Sequence, residues 1–199
     1  MLHLGRMASD PDALLVSRAR AGDATARRDL VERYRQRIAG FASLMISGID
    51  DPEDIAQEAL STAIQKLGEF RGDSRFSSWI FGIALNLCRN RRRAKREQSA
   101  SDEQLEAAAI RRRSVLSSLV RRESVQKVME AVEALPEDLR EAFVLRHLEN
   151  LEYSEIASIS GAAEGAIRVR AHRARLMLQS VLGPHFENLL PKSGESPSK

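Results

Sequence analysis

The sequence predicts an all-α protein built from two small helical domains joined by a linker. Three observations lead there. Aromatic residues are only 5% of the 199 positions and β-branched runs are sparse, so a β-rich fold is disfavoured. Apolar residues recur at helical rather than alternating spacing along most of the chain. Asp-Pro pairs and glycines punctuate these stretches where helices should start and stop. With 43% hydrophobic residues, both domains can bury real cores.

The first domain is expected over 10–96. Asp10-Pro11 reads as an N-cap followed by proline at the first helical position. That helix runs through Leu14, Leu15 and Ala19 to stop near Gly22. Asp23 caps a second helix, whose Ala26, Leu30, Tyr34, Ile38, Phe41 and Leu44 share one face, and Gly48 ends it. Asp51-Pro52 repeats the cap-plus-proline signal for a third helix carrying Ile55, Ala59, Ala63, Ile64 and Leu67. Residues 68–77 read as a loop with Gly68, Gly72, Asp73 and Ser74. Ser77 or Ser78 opens a fourth helix with Trp79, Ile80, Ile83, Ala84 and Leu87 inward. It runs into Arg89, Arg91, Arg92, Arg93, Lys95 and Arg96.

Between 97 and 123 the pattern weakens into Ser, Gln, Ala and mixed charge, the composition of a linker without its own core. The second domain is expected over 124–183. Val125, Val128, Met129, Val132 and Leu135 form a stripe that Pro136 breaks. Glu137 to Leu148 is the next helix, with Leu139, Phe143 and Val144 inward. Asn150 then turns the chain into a short helix, a turn at Gly161, and a last helix from about Glu164. Residues 184–199 read as a polar tail.

Composition narrows the function. Net charge is +3 and the isoelectric point about 9.3, so clustering rather than total charge must argue for a polyanion partner. The single cysteine, Cys88, excludes a disulfide framework and a cysteine-based zinc site, and reads as a small buried hydrophobe. No apolar run approaches the roughly 18 residues of a membrane span, and Met1 to Asp10 lack a signal core. A cytoplasmic protein is expected. No carboxylate pair stands with a His or Ser partner, and there is no Gly-rich phosphate loop or zinc spacing. Neither catalysis nor a metal or cofactor is expected.

Three clusters carry the chemistry. Residues 153–175 read as a helix-turn-helix: Ala157 and Gly161 sit four apart, and glycine suits a turn that needs positive φ. The second helix puts Ile167 inward and Arg168, Arg170, His172, Arg173 and Arg175 on more exposed sides. Arginines near the start of such a helix reach base edges, and later ones meet phosphates. A solvated basic face is the competing reading of the isolated helix. The Arg89 to Arg96 run follows a loop with Phe70, Arg71, Arg75 and Phe76, a mixture suited to single-stranded or distorted nucleic acid. Trp79 reads as a core residue, while for Phe76 both core anchor and stacking platform stand. Asp50, Asp51, Glu53, Asp54 and Glu58 cluster around the start of the third helix. They either complement its dipole or form a docking face for a basic partner.

The ordered set of motifs resembles the extracytoplasmic-function group of bacterial sigma-70-type sigma factors. The resembling stretches are Asp51-Pro52-Glu53-Asp54-Ile55-Ala56-Gln57-Glu58-Ala59, Phe70-Arg71-Gly72-Asp73-Ser74-Arg75-Phe76-Ser77-Ser78-Trp79-Ile80 and Ile83-Ala84-Leu85-Asn86. The second half supplies Leu135-Pro136-Glu137-Asp138-Leu139-Arg140-Glu141-Ala142-Phe143, Tyr153-Ser154-Glu155-Ile156-Ala157 and His172-Arg173-Ala174-Arg175. The resemblance covers nearly all of 11–182.

It implies that the first domain is sigma region 2, docking through Asp54, Gln57 and Glu58 on the β′ clamp helices of core RNA polymerase. Arg71, Asp73, Ser74, Arg75, Phe76 and Asn86 would open and read the −10 promoter element, with Arg89, Arg92 and Arg93 holding DNA beside it. The second domain would be region 4, reading the −35 element through Glu164, Arg168, Arg170, His172, Arg173 and Arg175. Further implied partners are the polymerase β flap and an anti-sigma factor. The chain departs from the family at Ser160, Ala162, Ala163, Ala166 and Ala171; members often have Ser or Pro at Ala163, so alanine there removes an expected N-cap. A polymerase-independent helix-turn-helix regulator, binding operators alone, is the competing functional class. A helical adaptor that binds only protein is a third.

Overall fold

The computed structural model describes residues 10–46, 48–101, 119–183 and 186. The middle of the expected linker and nearly all of the expected tail lie outside them. The chain divides into two compact units, 1–110 and 111–199. Among the described residues no strand occurs, and no helix is long and apolar enough to cross a membrane.

The N-terminal unit contains α1 (Ala13–Arg20), α2 (Ala24–Met45), α3 (Pro52–Gln65), a 3₁₀ turn (Leu67–Glu69) and α4 (Phe76–Ser101). Capping chemistry explains the boundaries. Asp23 accepts from the amides of Thr25 at 2.9 Å and Ala26 at 3.1 Å, starting α2. The Ala26 amide and the Arg18 guanidinium hold its carboxyl below the ordinary carboxylate range. Asp51 accepts from the Glu53 amide at 2.9 Å, with Pro52 at the first position of α3.

Two starts differ from expectation. Helix α1 begins at Ala13 rather than Pro11; Oδ1 of Asp10 accepts locally from the Asp12 amide, while Oδ2 accepts from the amide of Phe76. Helix α4 begins at Phe76, whose amide is the one Asp10 holds. Helix α2 ends at Met45, and Gly48 follows in the loop at φ 71°.

Helix α2 is the centre of this unit, with α1, α3 and α4 packed against it. Leu30, Tyr34, Ile38 and Phe41 of α2 are buried, as are Ile55, Ala56, Ala59 and Ala63 of α3. The alanines let the α3 backbone approach its neighbours closely. The inward stripe of α4 differs from the expected one. Phe76, Ile80, Phe81, Ala84, Leu85 and Cys88 are buried, while Trp79, Ile83 and Leu87 are only half-buried. The helix is rotated so that Phe81 meets Tyr34 and Phe41 edge-on, with centroids at 6.5 and 5.5 Å.

The C-terminal unit contains α5 (Leu119–Glu133), α6 (Glu137–Phe143), a π-helical turn (Val144–Leu148), α7 (Tyr153–Ser160) and α8 (Glu164–Leu182). Helix α5 starts earlier than the expected 124, and α4 extends past 96. The Ala, Gln, Glu and Arg residues around both ends are good helix formers. The expected single helix from 137 to 148 widens after Phe143, where the Glu149 amide donates to the Val144 carbonyl at 3.0 Å. Asn150, at φ 56°, then turns the chain. Ile167, Ala171, Ala174 and Leu178 form the buried face of α8, which packs against α5, α6 and α7.

Candidate nucleic-acid interface

The acidic face of α3 follows from its periodicity. Ile55, Ala56, Ala59, Leu60 and Ala63 are buried, which leaves Asp54, Gln57 and Glu58 together on the exposed side. With Ser61, Thr62 and Gln65 they line an open polar depression. Glu58 is not solvated alone. Arg91 of α4 reaches it at 2.7 Å and reaches Asp50 at 3.1 Å. Arg35 similarly meets Glu53 at 3.3 Å. The Arg91 bridge between α3 and α4 escaped the sequence reading, since nothing in one basic run shows which arginine will face an acidic helix.

The loop at 71–75 is suspended between two buried rings. Phe70 and Phe76 meet edge-on with centroids 5.7 Å apart, and Trp79 lies against both, at 5.2 and 5.7 Å. Gly72 is buried at φ 78°, a conformation that favours glycine. Arg71 and Asp73 are exposed, and Ser74 and Arg75 half-buried. Phe76 is 1% exposed, so as it stands it cannot meet a base. In this packing it is a core anchor that holds the loop.

The basic run of α4 divides by helical phase. Asn86 is exposed, with Arg89 and Arg93 following three and seven residues on along one side. Arg91 turns to the α3 acids. Arg92 is 5% exposed and donates from Nη1 to the Met45 carbonyl at 3.2 Å, binding α4 to the end of α2. A guanidinium committed to a buried carbonyl holds the fold together. Lys95 and Arg96 remain at the surface.

In the C-terminal unit, Gly161 occupies the left-handed region at φ 71°, ψ 28°. The Ala157 carbonyl accepts from the amides of Gly161 at 3.0 Å and Ala162 at 3.2 Å, which closes α7 and redirects the chain. Ala163 precedes α8 in extended conformation and offers no side-chain cap. On α8, Glu164, Arg168, His172 and Arg175 share one flank, with His172, Arg173 and Arg175 exposed. Arg168 is held in place by Glu164 at 2.5 Å and by the Tyr153 ring, whose centroid is 4.6 Å away. Arg146 covers the same ring at 4.8 Å. Arg170 points the other way and meets Asp138 of α6 at 3.2 Å. It therefore braces α8 against α6 on the flank away from Arg168.

Two family descriptions match the chain: "Sigma-70 region 2" over residues 30–98 and "Sigma-70, region 4" over residues 125–178. The "ECF RNA polymerase sigma-E factor" of Escherichia coli (strain K12) is 35% identical over 182 residues, spanning 87% of this chain and 95% of that protein. The "RNA polymerase sigma-H factor" of Pseudomonas aeruginosa is 33% identical over 187 residues, spanning 89% and 97%. Among solved structures, the sigma factor RpoE from Bartonella quintana, in complex with the anti-sigma factor NepR, is similar with TM-score 0.61 and 28% identity. That match covers 79% of this chain and 96% of that one. CnrH in complex with the cytosolic domain of CnrY is similar with TM-score 0.60 and 26% identity, covering 87% and 97%. With its acidic helix face, ring-held loop and arginine-bearing helix-turn-helix in order along one sequence, the chain belongs to the extracytoplasmic-function group of sigma-70-type RNA polymerase sigma factors.

Proposed function

We propose that this chain is a bipartite promoter reader that acts only when docked on core RNA polymerase in the cytoplasm. It is a specificity subunit and not an enzyme; the polymerase supplies the chemistry. The acidic face of Asp54, Gln57 and Glu58 docks on the β′ clamp helices. The loop residues Arg71, Asp73, Ser74 and Arg75, with Asn86, read the −10 element. Arg89 and Arg93 hold phosphates beside it. The flank of Glu164, Arg168, His172 and Arg175, with Arg173, reads the −35 element as duplex, and the same unit meets the β flap. The two similar solved structures are complexes, one with an anti-sigma factor and one with the cytosolic domain of CnrY. Control by an anti-sigma factor follows for this chain.

The observation that carries the reading is the pre-set Arg168. Glu164 and Tyr153 hold its guanidinium at the start of an exposed helix flank. A base-reading arginine that is already ordered loses less side-chain entropy on binding. Arg168→Ala is expected to cost about 1–3 kcal/mol and to relax preference at one −35 position. Arg93→Ala, by contrast, should weaken promoter binding about equally across sequences and lower its salt dependence. Binding of holoenzyme to promoter libraries at several salt concentrations separates the two. Unchanged −35 preference in Arg168→Ala would show that the reading surface lies elsewhere.

A further inference from the structure

The first amide of α4 is capped from an unexpected place. Helix starts leave backbone N–H groups without intrahelical acceptors, and a nearby Ser, Thr or Asp normally supplies one. The preceding loop contains Asp73 and Ser74, yet Ser74 Oγ is directed to the Arg75 carbonyl. The acceptor for the Phe76 amide is instead Oδ2 of Asp10, 66 residues earlier, at 2.8 Å. Oδ1 of the same carboxylate accepts from the Asp12 amide at 3.0 Å, and Asp10 is 7% exposed.

The segment that carries Asp10 is itself tied down. Asp12 is 3% exposed and accepts from both the Tyr34 hydroxyl and the Arg33 guanidinium of α2. The Tyr34 ring in turn meets the Phe76 ring edge-on at 5.4 Å. One buried turn therefore grips α2 with its second aspartate and the exit of the 71–75 loop with its first. At the loop's other end the Phe70 ring packs against Phe76 and Trp79. Ser74 and Arg75 immediately precede the amide that Asp10 holds.

We propose that Asp10 is a positioning residue for −10 recognition: the N-terminal turn acts as a remote cap that sets where the reading loop leaves the domain. This rests on the reading of the 71–75 loop as the −10-facing element. Removing the carboxylate strands a buried amide and frees the loop exit to shift, and either outcome degrades contacts that depend on sub-ångström placement. Asp12, by contrast, holds the turn itself and contributes to stability.

The test is run-off transcription by core polymerase with the full chain, on promoters randomised at the −10 element over a fixed −35 element. Asp10→Ala, Asp10→Asn, Asp73→Ala and Arg75→Ala are compared with the parent, alongside melting temperatures and binding to core polymerase. Asp10→Ala is expected to flatten base preference at −10 and to lower output from the best −10 sequence about tenfold, the scale of one lost base contact. Core binding and −35 preference should stay as in the parent. Asp10→Asn, which keeps one acceptor oxygen, should recover part of the preference. Equal loss on every −10 sequence, tracking the melting temperature, would overturn the proposal in favour of a purely structural role. Parent-like preference in Asp10→Ala, with altered preference in the loop variants, would overturn it and leave the loop's role intact. If the loop variants also keep the parent preference, the reading of the loop falls and the proposal with it.

Discussion

Phe76→Ala should destabilise the N-terminal unit by about 3–5 kcal/mol, before any DNA or polymerase is added. The side chain is 1% exposed, and its ring sits 5.4 Å from Tyr34, 5.7 Å from Phe70 and 5.7 Å from Trp79. Its loss opens a cavity among three aromatic rings and removes edge-on contacts worth about 0.5–1.5 kcal/mol each beyond their area. The sole tryptophan, Trp79, lies in this cluster, so its fluorescence in urea reports this unit alone. Phe76→Leu should keep most of the stability. A solvent-facing stacking platform predicts the opposite: a change within about 0.5 kcal/mol and a defect visible only on DNA. Parent-like unfolding of Phe76→Ala would therefore contradict the core-anchor role.

Asp12→Ala should cost about 2–3 kcal/mol in the same measurement. It leaves the Tyr34 hydroxyl, 0% exposed, without its acceptor, and it releases Arg33. The pair also sets an alkaline limit. Burial, and then the negative charge of Asp12, push the Tyr34 hydroxyl far above its ordinary value of 10.0. A group whose folded value is raised stabilises fully below its unfolded value and loses that contribution as pH rises past it. The parent should therefore lose stability above pH 10 by roughly 1.4 kcal/mol per pH unit more than Tyr34→Phe, which has no proton to lose there. Parallel alkaline curves for the two proteins would contradict the buried, carboxylate-bonded hydroxyl.

What could be read from the sequence was local chemistry. Asp23, Asp51-Pro52 and Gly161 each fix a boundary through groups within three or four residues, and all act as their spacing implies. The helix-turn-helix and the inward Ile167 follow for the same reason. The failures are long-range. Asp10-Pro11 has the form of a local cap, and no local rule shows that its carboxylate serves an amide 66 residues on. Helical spacing places Trp79 on the inward stripe of α4, but the rings of Tyr34 and Phe41 on α2 recruit Phe81 instead. Arg92 could have been separated from its neighbours. Phe81, Leu85, Cys88 and Arg92 are successive positions on one helical face, so a buried Cys88 places Arg92 inward one turn later. Six cations in eight residues obscured that phase. The ion pairs of Arg91 and Arg170 needed the partner helices in place before they could be seen.

The central claim is that two promoter elements are read by one chain that depends on polymerase. Run-off transcription with core polymerase on a promoter library, followed by mapping of start sites, tests it most directly. The expected result is initiation from a defined pair of −10 and −35 motifs, abolished when Glu58→Lys and Asp54→Lys are combined. The free protein should show no sequence-specific gel shift. Tight sequence-specific binding by the free protein, with no start sites when folded protein and core polymerase are combined, would contradict it.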